Sequence, residues 1–245
     1  MDAGLIESLE RATVAAVAPP EVAEIGGWLA PFDNGTIGRA KCAVPLAHDI
    51  SDEAVPEILS AYARRGLPPG FRIADTGALA PVRAALAGRG LAPGKPTLVK
   101  IGDTARLAAF AEGGAEMLDR PDAAWGEVFL GPGFDPVDGA HRVNVLSRSP
   151  GAVYGVVRDS GRPVAVGVAS FGHGWMGIHG MRTAADQRGR GHAGRILAAF
   201  GRLAADRGIA RAFLQVEEPN PARSLYRKAG FERAWRYCYW RLPTP

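Results

Sequence analysis

Cysteine and lysine are scarce in this chain of 245 residues, which contains two cysteines and only four lysines among 29 basic side chains. Cys42 and Cys238 lie far apart, with no Cys-x-x-Cys and no paired histidine spacing, so neither a disulfide framework nor a zinc site is expected. This cysteine usage favours a reducing, cytoplasmic location. No Gly-Lys-Ser/Thr sequence occurs, which excludes a P-loop.

A long uncharged apolar segment is also lacking. The longest stretch without acidic or basic residues, 163–181, contains several glycines and alternating valines, a pattern typical of strands rather than of a membrane span. The first segment, 1–18, carries Asp2, Glu7 and Glu10 among its apolar residues and is predicted to be a helix rather than a signal peptide. No membrane partner is therefore expected.

The net charge of +4 is distributed unevenly along the chain. Residues 186–245 contain 12 basic and 5 acidic side chains, whereas residues 1–185 contain 17 and 20. Because the positive excess is confined to the last quarter, we expect a local site for an acidic or phosphorylated ligand and no nucleic-acid partner. With 47% apolar residues the chain can bury an ordinary core, in one large domain or two small ones.

The last third of the chain alternates between strand and helix patterns. Alternating valines before a Gly-His-Gly turn predict a strand pair, and apolar residues at helical spacing predict a helix after it. Asn220 and Pro221 are typical of a helix start, and Gly230 of a helix end. The predicted strands are 164–170, 175–183, 211–216 and 235–242, and the predicted helices are 193–207 and the segment from Pro221 to Gly230.

The same order of elements occurs earlier in the chain, at an offset of about 140 residues. A helix ending at Arg65-Gly66 is followed by a strand at 71–74, a helix that begins near Pro81 and a strand at 97–101. This repeat predicts two related lobes, which we place at 1–95 and 96–245.

Between the strand at 175–183 and the next helix lies the sequence Gln187-Arg188-Gly189-Arg190-Gly191-His192-Ala193-Gly194-Arg195. Glycines at a strand-to-helix turn let the backbone approach a ligand, the first amides of the helix lack partners, and the arginines add positive charge. The loop is predicted to bind a diphosphate. A plain surface loop with solvated arginines is the alternative.

Other phosphate-site and active-site motifs fit the chain less well. The spacing Gly189-x-Gly191-x-x-Gly194 also matches a dinucleotide fingerprint, but the polar segment 184–187 separates it from the strand, and too few strand-helix units follow. The segment 167–172 has the wrong spacing for a nucleophile elbow, which argues against a hydrolase.

Taken in order, these elements resemble the GCN5-related N-acetyltransferase (GNAT) family. The coenzyme loop of that family has the pattern Arg/Gln-x-x-Gly-x-Gly/Ala, which is matched by Arg188-x-x-Gly191-x-Ala193, and the resemblance extends over about 164–241. It implies an α+β fold with a central mixed, mostly antiparallel sheet flanked by helices. Combined with the internal repeat, it implies two tandem lobes, a degenerate one at 1–95 and a catalytic one at 96–245. It also implies acetyl-coenzyme A as co-substrate, and no metal.

The resemblance also assigns residues to the coenzyme. Met181 and Thr183 correspond to residues that bind the pantetheine arm, with plain strand residues as the alternative. Arg195, one turn inside the helix, is within reach of the 3′-phosphate side, with a solvent-exposed arginine as the alternative. Asn220 matches an asparagine that contacts the coenzyme, although it lies six residues before Tyr226 rather than seven. The coenzyme-binding residues implied in this way are Met181, Thr183, Arg188, Gly189, Arg190, Gly191, His192, Ala193, Gly194, Arg195, Asn220 and Tyr226.

Acetyl transfer to an amine needs a base for the nucleophile and a proton for the departing thiolate. Tyr226 matches the family's proton donor. Glu217, at the end of a strand, and His179, in the strand before the loop, are the two candidate bases. Each of the three residues also has a purely structural interpretation, as a core aromatic, an exposed carboxylate and a strand histidine.

The earlier copy lacks this chemistry. Where the later lobe has its arginine-glycine loop, the first has the acidic segment 48–53, and Leu86 stands in the place of Tyr226. We therefore expect one coenzyme site per chain, with the first lobe as a packing partner and a wall of the acceptor pocket.

The sequence as a whole predicts an N-acetyltransferase that acts by direct transfer on a primary amine of a small-molecule or amino-acid-like acceptor. A protein N-terminus or lysine is the alternative acceptor, and a coenzyme-A-binding sensor without turnover is the alternative class. A nucleic-acid-binding module that uses the aromatic and basic segment 233–241 is disfavoured, because strand alternation buries part of it. No feature of the sequence predicts an oligomeric state.

Overall fold

The computed structural model describes residues 2–243, which form eight α-helices and eleven strands. In chain order these are α1 (Ala3–Ala15), β1 (Glu21–Ile25), β2 (Trp28–Phe32), β3 (Val44–Pro45), α2 (Val55–Arg64), β4 (Gly70–Ala74), α3 (Ala80–Ala87), β5 (Ala92–Asp103), α4 (Thr104–Ala108), β6 (Glu116–Leu118), α5 (Ala123–Leu130), α6 (Pro136–Ser147), β7 (Val153–Asp159), β8 (Arg162–Gly172), β9 (Trp175–Thr183), α7 (His192–Asp206), β10 (Arg211–Glu217), α8 (Arg223–Lys228) and β11 (Glu232–Arg241). Every helix in 2–243 is too short or too polar to cross a bilayer.

A sheet of eight strands in the order β4-β11-β5-β10-β9-β8-β7-β6 forms the centre of the molecule, beside a small sheet of β1, β2 and β3. Only β9 and β10 run parallel within the large sheet, and its other neighbours are antiparallel. With helices packed on this sheet, the mixed and mostly antiparallel α+β architecture is confirmed.

The two halves of the chain exchange strands within this sheet. β5 follows α3 along the chain but pairs with β10, and β11 follows α8 but pairs with β4. β5 and β11 also pair with each other, so the four strands lie in the order β4-β11-β5-β10. The chain order helix-strand-helix-strand occurs twice, as α2-β4-α3-β5 and as α7-β10-α8-β11. The sheet therefore continues across the predicted boundary at residue 95, and the division into two lobes stays a prediction.

Both faces of the sheet are covered by apolar side chains. On one face, Ile196, Leu197 and Phe200 of α7 pack in a buried cluster with Met176 and Ile178 of β9. Because side chains alternate along a strand, the residues between these two strand positions face the other way. Burial of each large apolar side chain contributes roughly 1.5–3 kcal/mol to stability, so α7 is held firmly beneath the sheet.

The opposite face carries the N-terminal half. Trp175 of β9 and Phe213 of β10 lie in one buried cluster with Trp28 and Phe71. The indole N–H of Trp175 donates a hydrogen bond to Ser8 Oγ of α1 at 3.1 Å. The N-terminal half is therefore packed directly against the strands that carry the predicted site.

Candidate functional site

The parallel strands β9 and β10 separate before they end. Their pairing stops at Leu214 and Ile178, after which β10 continues only on β5, and β9 continues on β8 as far as Thr183. Gly180 has a φ of +58° where the register with β8 shifts, so a bulge turns the end of β9 away from β10. The separation opens a groove of about 880 Å³ at the carboxyl ends of the two strands.

The groove brings together nearly all of the residues assigned to the coenzyme. Its walls come from the end of β9, the loop before α7, and the segment from the end of β10 into α8. They include Met181, Thr183, Arg188, Gly189, Arg190, Gly191, His192, Ala193, Gly194, Glu217, Asn220 and Tyr226.

The loop before α7 presents unpaired backbone amides. Gly189 and Gly191 have φ values of +80° and +81°, in the left-handed region that favours glycine. No atom lies within 4 Å of a Cβ built at either position, so the backbone conformation rather than crowding requires glycine, and this side of the loop is open to a ligand. Within residues 2–243, the amides of 188–194 have no backbone acceptor outside the helix itself.

Electrostatics also favour an anion at this loop. Gly191 precedes α7 without a side-chain cap, so the positive end of the helix faces the loop. Arg188, Arg190 and Lys228 line the groove, whereas Glu217 is its one acidic side chain in the described part of the chain. Amides, helix dipole and cations together fit a diphosphate.

Tyr226 lies in α8 with its side chain on the groove and only 7% exposed. Burial raises the pKa of its phenol to about 12, so the hydroxyl stays protonated at neutral pH. The ring packs edge-on against Phe231, with centroids 6.2 Å apart. The phenol therefore carries the proton that a donor to a leaving group needs, while its raised pKa makes it a weaker acid than a free tyrosine.

Glu217 and Asn220 lie on the segment between β10 and α8. Glu217 is exposed at the end of β10, where the groove meets a second cavity of about 460 Å³, and it lines both. The carboxamide oxygen of Asn220 accepts a hydrogen bond from the amide of Ala222 at 2.9 Å. Asn220 thus stabilises the turn that precedes α8. The helix begins at Arg223 and not at the predicted Pro221.

His179 and Arg195 do not line the groove. The ring of His179 is buried, with Nδ1 3.1 Å from Arg39 Nη1 and Nε2 3.0 Å from Ser170 Oγ. Because a guanidinium only donates, Nδ1 is the acceptor and Nε2 carries the hydrogen, so neither nitrogen is free to take a proton from an amine. Burial, and then the nearby Arg39, hold the pKa of His179 well below its usual value.

Arg195 is half-buried on the other side of the loop. Its Nε donates to the carbonyl oxygen of Gly114 at 3.0 Å, which ties α7 to the segment after α4. The structure therefore gives Arg195 a contact within the protein rather than a place among the groove residues.

Phe134 is a groove residue that the sequence does not reveal. It comes from the segment between α5 and α6, and its ring lies 4.2 Å from Arg182 Cζ and 5.8 Å from Arg188 Cζ. Cation–π contacts of this kind place the arginines at the groove. No sequence motif marks Phe134, because its contact with the groove depends on the path of the segment between α5 and α6.

The sheet with its two separating parallel strands is a GNAT-type fold. A family model described as "Probable histone acetyltransferase Rv0428c C-terminal" matches residues 4–240, and the chain belongs to that family. It is similar to the Mycobacterium tuberculosis protein named "Probable histone acetyltransferase Rv0428c", with 31% identity over 215 residues, 87% of this chain and 66% of that protein. The chain thus spans slightly less than two thirds of the length of this relative.

Two solved structures share the fold. A GCN5-related N-acetyltransferase from Kribbella flavida superposes with a TM-score of 0.72 at 15% identity, covering 98% of this chain and 96% of that one. A tandem GNAT protein from the clavulanic acid biosynthesis pathway superposes with a TM-score of 0.61 at 14% identity, covering 98% and 95%. At these identities the likeness concerns the fold.

Proposed function

We propose that the protein transfers an acetyl group from acetyl-coenzyme A to a primary amine of a small, amino-acid-like acceptor. One observation carries the proposal: the cationic amide loop and the protonated phenol of Tyr226 line the same groove. An anion-binding loop alone fits many phosphate ligands, and a buried tyrosine alone is common. Their combination fits a ligand that has a diphosphate at one end and a thiolate leaving group at the other.

The groove residues have distinct roles in this reaction. The amides of 188–194, with Arg188 and Arg190, hold the diphosphate of the coenzyme, whose thioester supplies the acyl group. Glu217 lies where the groove meets the second cavity and takes the proton from the acceptor amine as its nitrogen attacks the carbonyl carbon. Tyr226 gives its proton to the sulfur as the carbon–sulfur bond breaks, so the products are an amide and a thiol.

Transfer is proposed to be direct, without an acyl-enzyme intermediate. No cysteine lines the groove in residues 2–243, since Cys42 is buried elsewhere and Cys238 is half-buried on β11. A covalent route would need an activated nucleophile at the groove. The two free thiols also support the reducing, cytoplasmic location that we propose.

A protein acceptor is the second candidate, because the M. tuberculosis relative is named a probable histone acetyltransferase. A basic peptide and a small amine place the same nucleophile at Glu217 and differ in the rest of the acceptor. The distinction therefore depends on the acceptor side of the site rather than on the groove.

Thiol release from acetyl-coenzyme A, measured over a panel of small amines, amino acids and lysine-rich peptides, tests the proposal. We expect release with at least one small amine, and a loss of at least about 10-fold in coenzyme affinity in Arg190→Glu, because an attractive charge becomes repulsive. Arg64→Glu is the matched control, since Arg64 is exposed at the end of α2, away from the groove.

The outcomes separate the candidate functions. Release only with lysine-rich peptides would favour the protein acceptor. Coenzyme binding without release from any acceptor would favour the sensor, and equal effects of Arg190→Glu and Arg64→Glu would contradict the loop as the binding site.

A further inference from the structure

The second cavity, of about 460 Å³, opens beside the groove and shares Glu217 with it. Its walls come from the N-terminal segment 36–39, the start of α6, the end of β10 and the end of β11. A volume of this size fits a small molecule rather than a folded partner. Glu217 and the N-terminal segment 36–39 both line this cavity.

Most of the acidic groups at this cavity are already engaged. Asp138 forms an ion pair with Arg142, at 2.6 Å between Oδ2 and Nε, and accepts a hydrogen bond from Thr36 Oγ1 at 3.1 Å. Asp135 caps α6 by accepting hydrogen bonds from the amides of Val137 and Asp138. Glu217 lies at the junction with the groove.

Arg39, by contrast, has no acidic partner. It lies half-buried on the short 3₁₀ turn Gly38–Ala40, and Nη1 donates to the neutral ring of His179. None of the ion pairs formed within residues 2–243 includes Arg39. Burial lowers its pKa, the nearby Tyr239 and Tyr237 raise it in part, and Arg142 and Arg72 lower it, yet an arginine remains charged.

A charged group withdrawn from water without a counter-charge is costly, and a bound anion offsets that cost. His179 fixes the guanidinium from one side, because its Nδ1 holds Nη1 while its Nε2 is held by Ser170. Within residues 2–243 the contact with His179 is the one hydrogen bond of this guanidinium, so its other donors face a ligand, and the planar fork suits a carboxylate.

We propose that this cavity is the acceptor site and that it takes a small amine carrying a carboxylate, with Arg39 binding the carboxylate and Glu217 receiving the amine. The assignment rests on the proposed acetyl transfer. It names the acceptor as an amino acid or a close analogue.

Further cations around the cavity support a negatively charged acceptor. Arg241 lies over the ring of Tyr239 with Cζ 4.8 Å from the centroid, and its Nη2 is 3.5 Å from Cys42 Sγ, a neutral partner. Lys95 lines the same cavity and is exposed. A lysine-rich peptide would bring its own positive charges against Arg39, Arg241 and Lys95, so the cavity disfavours such an acceptor.

A series of acceptors that differ only in the carboxylate tests the proposal. Glycine, β-alanine, 4-aminobutyrate and 6-aminohexanoate are compared with ethylamine, propylamine, butylamine and hexylamine, in which a methyl group replaces the carboxylate. We expect at least one amino acid to exceed its matched alkylamine in kcat/KM by about 10- to 100-fold, the effect of one charge-assisted bidentate contact.

The variant Arg39→Gln keeps a donor for His179 but removes the charge. We expect it to raise KM for the preferred amino acid by about 10- to 100-fold, and so to reduce the ratio of kcat/KM between that amino acid and its matched alkylamine by the same factor, with coenzyme affinity unchanged. Arg39→Lys is expected to restore part of the discrimination, and Arg64→Gln is the control for loss of a surface arginine. Thermal unfolding confirms that each variant folds.

Direct measurement of amino-acid binding tests the acceptor site without requiring catalytic turnover. Calorimetry measures binding of the same amino acids to the protein saturated with coenzyme A, and we expect binding that Arg39→Gln abolishes. If this binding is observed but no acceptor causes thiol release, the carboxylate site is supported and the proposed acetyl transfer is contradicted. Equal kcat/KM for amino acids and alkylamines, with no binding that depends on Arg39, would overturn the inference. Preference for O-phosphoethanolamine or for a lysine-rich peptide would also overturn it, in favour of a phosphate or a protein acceptor.

Discussion

Arg39 donates a hydrogen bond from Nη1 to Nδ1 of His179 across 3.1 Å, joining residues that are 140 positions apart in the chain. The contact fixes the histidine tautomer, since Nδ1 must be unprotonated to accept and Nε2 then donates to Ser170. It also links the wall of the second cavity to the strand that forms the groove. His179 is therefore a neutral positioning residue for Arg39 rather than a proton acceptor for the substrate.

The neutral state of His179 predicts how stability depends on pH. Its pKa in the folded protein lies well below the usual value, whereas in the unfolded chain it titrates near 6.5. Below about pH 6.5 the unfolded state therefore binds a proton that the folded state does not bind. We expect the unfolding free energy to fall as the pH drops from 7 to 5, with a contribution from His179 of at most about 1.4 kcal/mol per pH unit.

Denaturant unfolding of His179→Gln across this pH range checks the expectation, and a shallower slope than in the wild type is the predicted result. His48 contributes in the same direction, because burial lowers its pKa to about 4, so the double variant with His48→Gln is expected to be shallower still. His173→Asn is the control, in the exposed turn between β8 and β9, where asparagine tolerates the φ of +51°. An unchanged slope in His179→Gln would show that this histidine is not held neutral.

Removal of the Tyr226 hydroxyl tests the proton donor. Because burial raises the pKa of the Tyr226 phenol to about 12, the phenol is protonated and neutral at the assay pH. Tyr226→Phe therefore removes a proton source without removing a charge. We expect kcat to fall by about 10²-fold, the lower end of the usual range for general acid catalysis, with coenzyme affinity unchanged. Steady-state thiol release and calorimetry measure the two quantities.

Tyr154→Phe is a matched control for the Tyr226 variant. Its hydroxyl donates to the carbonyl oxygen of Leu146 at 2.8 Å, away from the groove, so the same chemical change is expected to lower stability by about 1 kcal/mol and to leave kcat unchanged. A kcat for Tyr226→Phe within about threefold of the wild type would remove Tyr226 from the mechanism.

Short-range patterns made the C-terminal elements predictable from sequence. The strand predicted at 175–183 has those bounds in the structure, and the helix predicted at 193–207 begins and ends one residue earlier, at His192 and Asp206. Glycine spacing likewise located the groove loop, because a left-handed backbone restricts the residue type at the position itself. Eleven of the twelve coenzyme-binding predictions line the groove, and Arg195 is the one that does not.

Long-range packing was not predictable in the same way. Glu10 has the pattern of a polar residue on an amphipathic surface helix, yet it is 2% exposed and forms an ion pair with Arg72 at 2.5 Å, across 62 positions. No sequence motif surrounds Arg39. Its partner His179 is a candidate base from sequence alone, because the sequence does not show that the N-terminal half packs on that face of β9. In both cases the partner comes from the packing of the N-terminal half on the sheet.

The unequal halves of the chain predict a single coenzyme site. In the first half the position of Tyr226 is occupied by Leu86, which is buried and has no proton to donate. The segment that corresponds to the arginine-glycine loop carries Asp49, Asp52 and Glu53, and its His48 ring packs edge-on against Trp235, with centroids 5.1 Å apart. Carboxylates repel a diphosphate, so this segment is not expected to bind the coenzyme.

Calorimetric titration with acetyl-coenzyme A measures the stoichiometry. We expect one site per chain in the wild type and in Arg64→Glu, and strongly weakened binding in Arg190→Glu, because inverting one charge at the loop before α7 affects the only site. Replacing Asp49, Asp52 and Glu53 together by asparagine and glutamine is expected to leave the stoichiometry at one, since removal of the acidic charge supplies neither unpaired amides nor a phenol. A stoichiometry near two, or a site of wild-type affinity that survives in Arg190→Glu, would mean that the first half also binds the coenzyme.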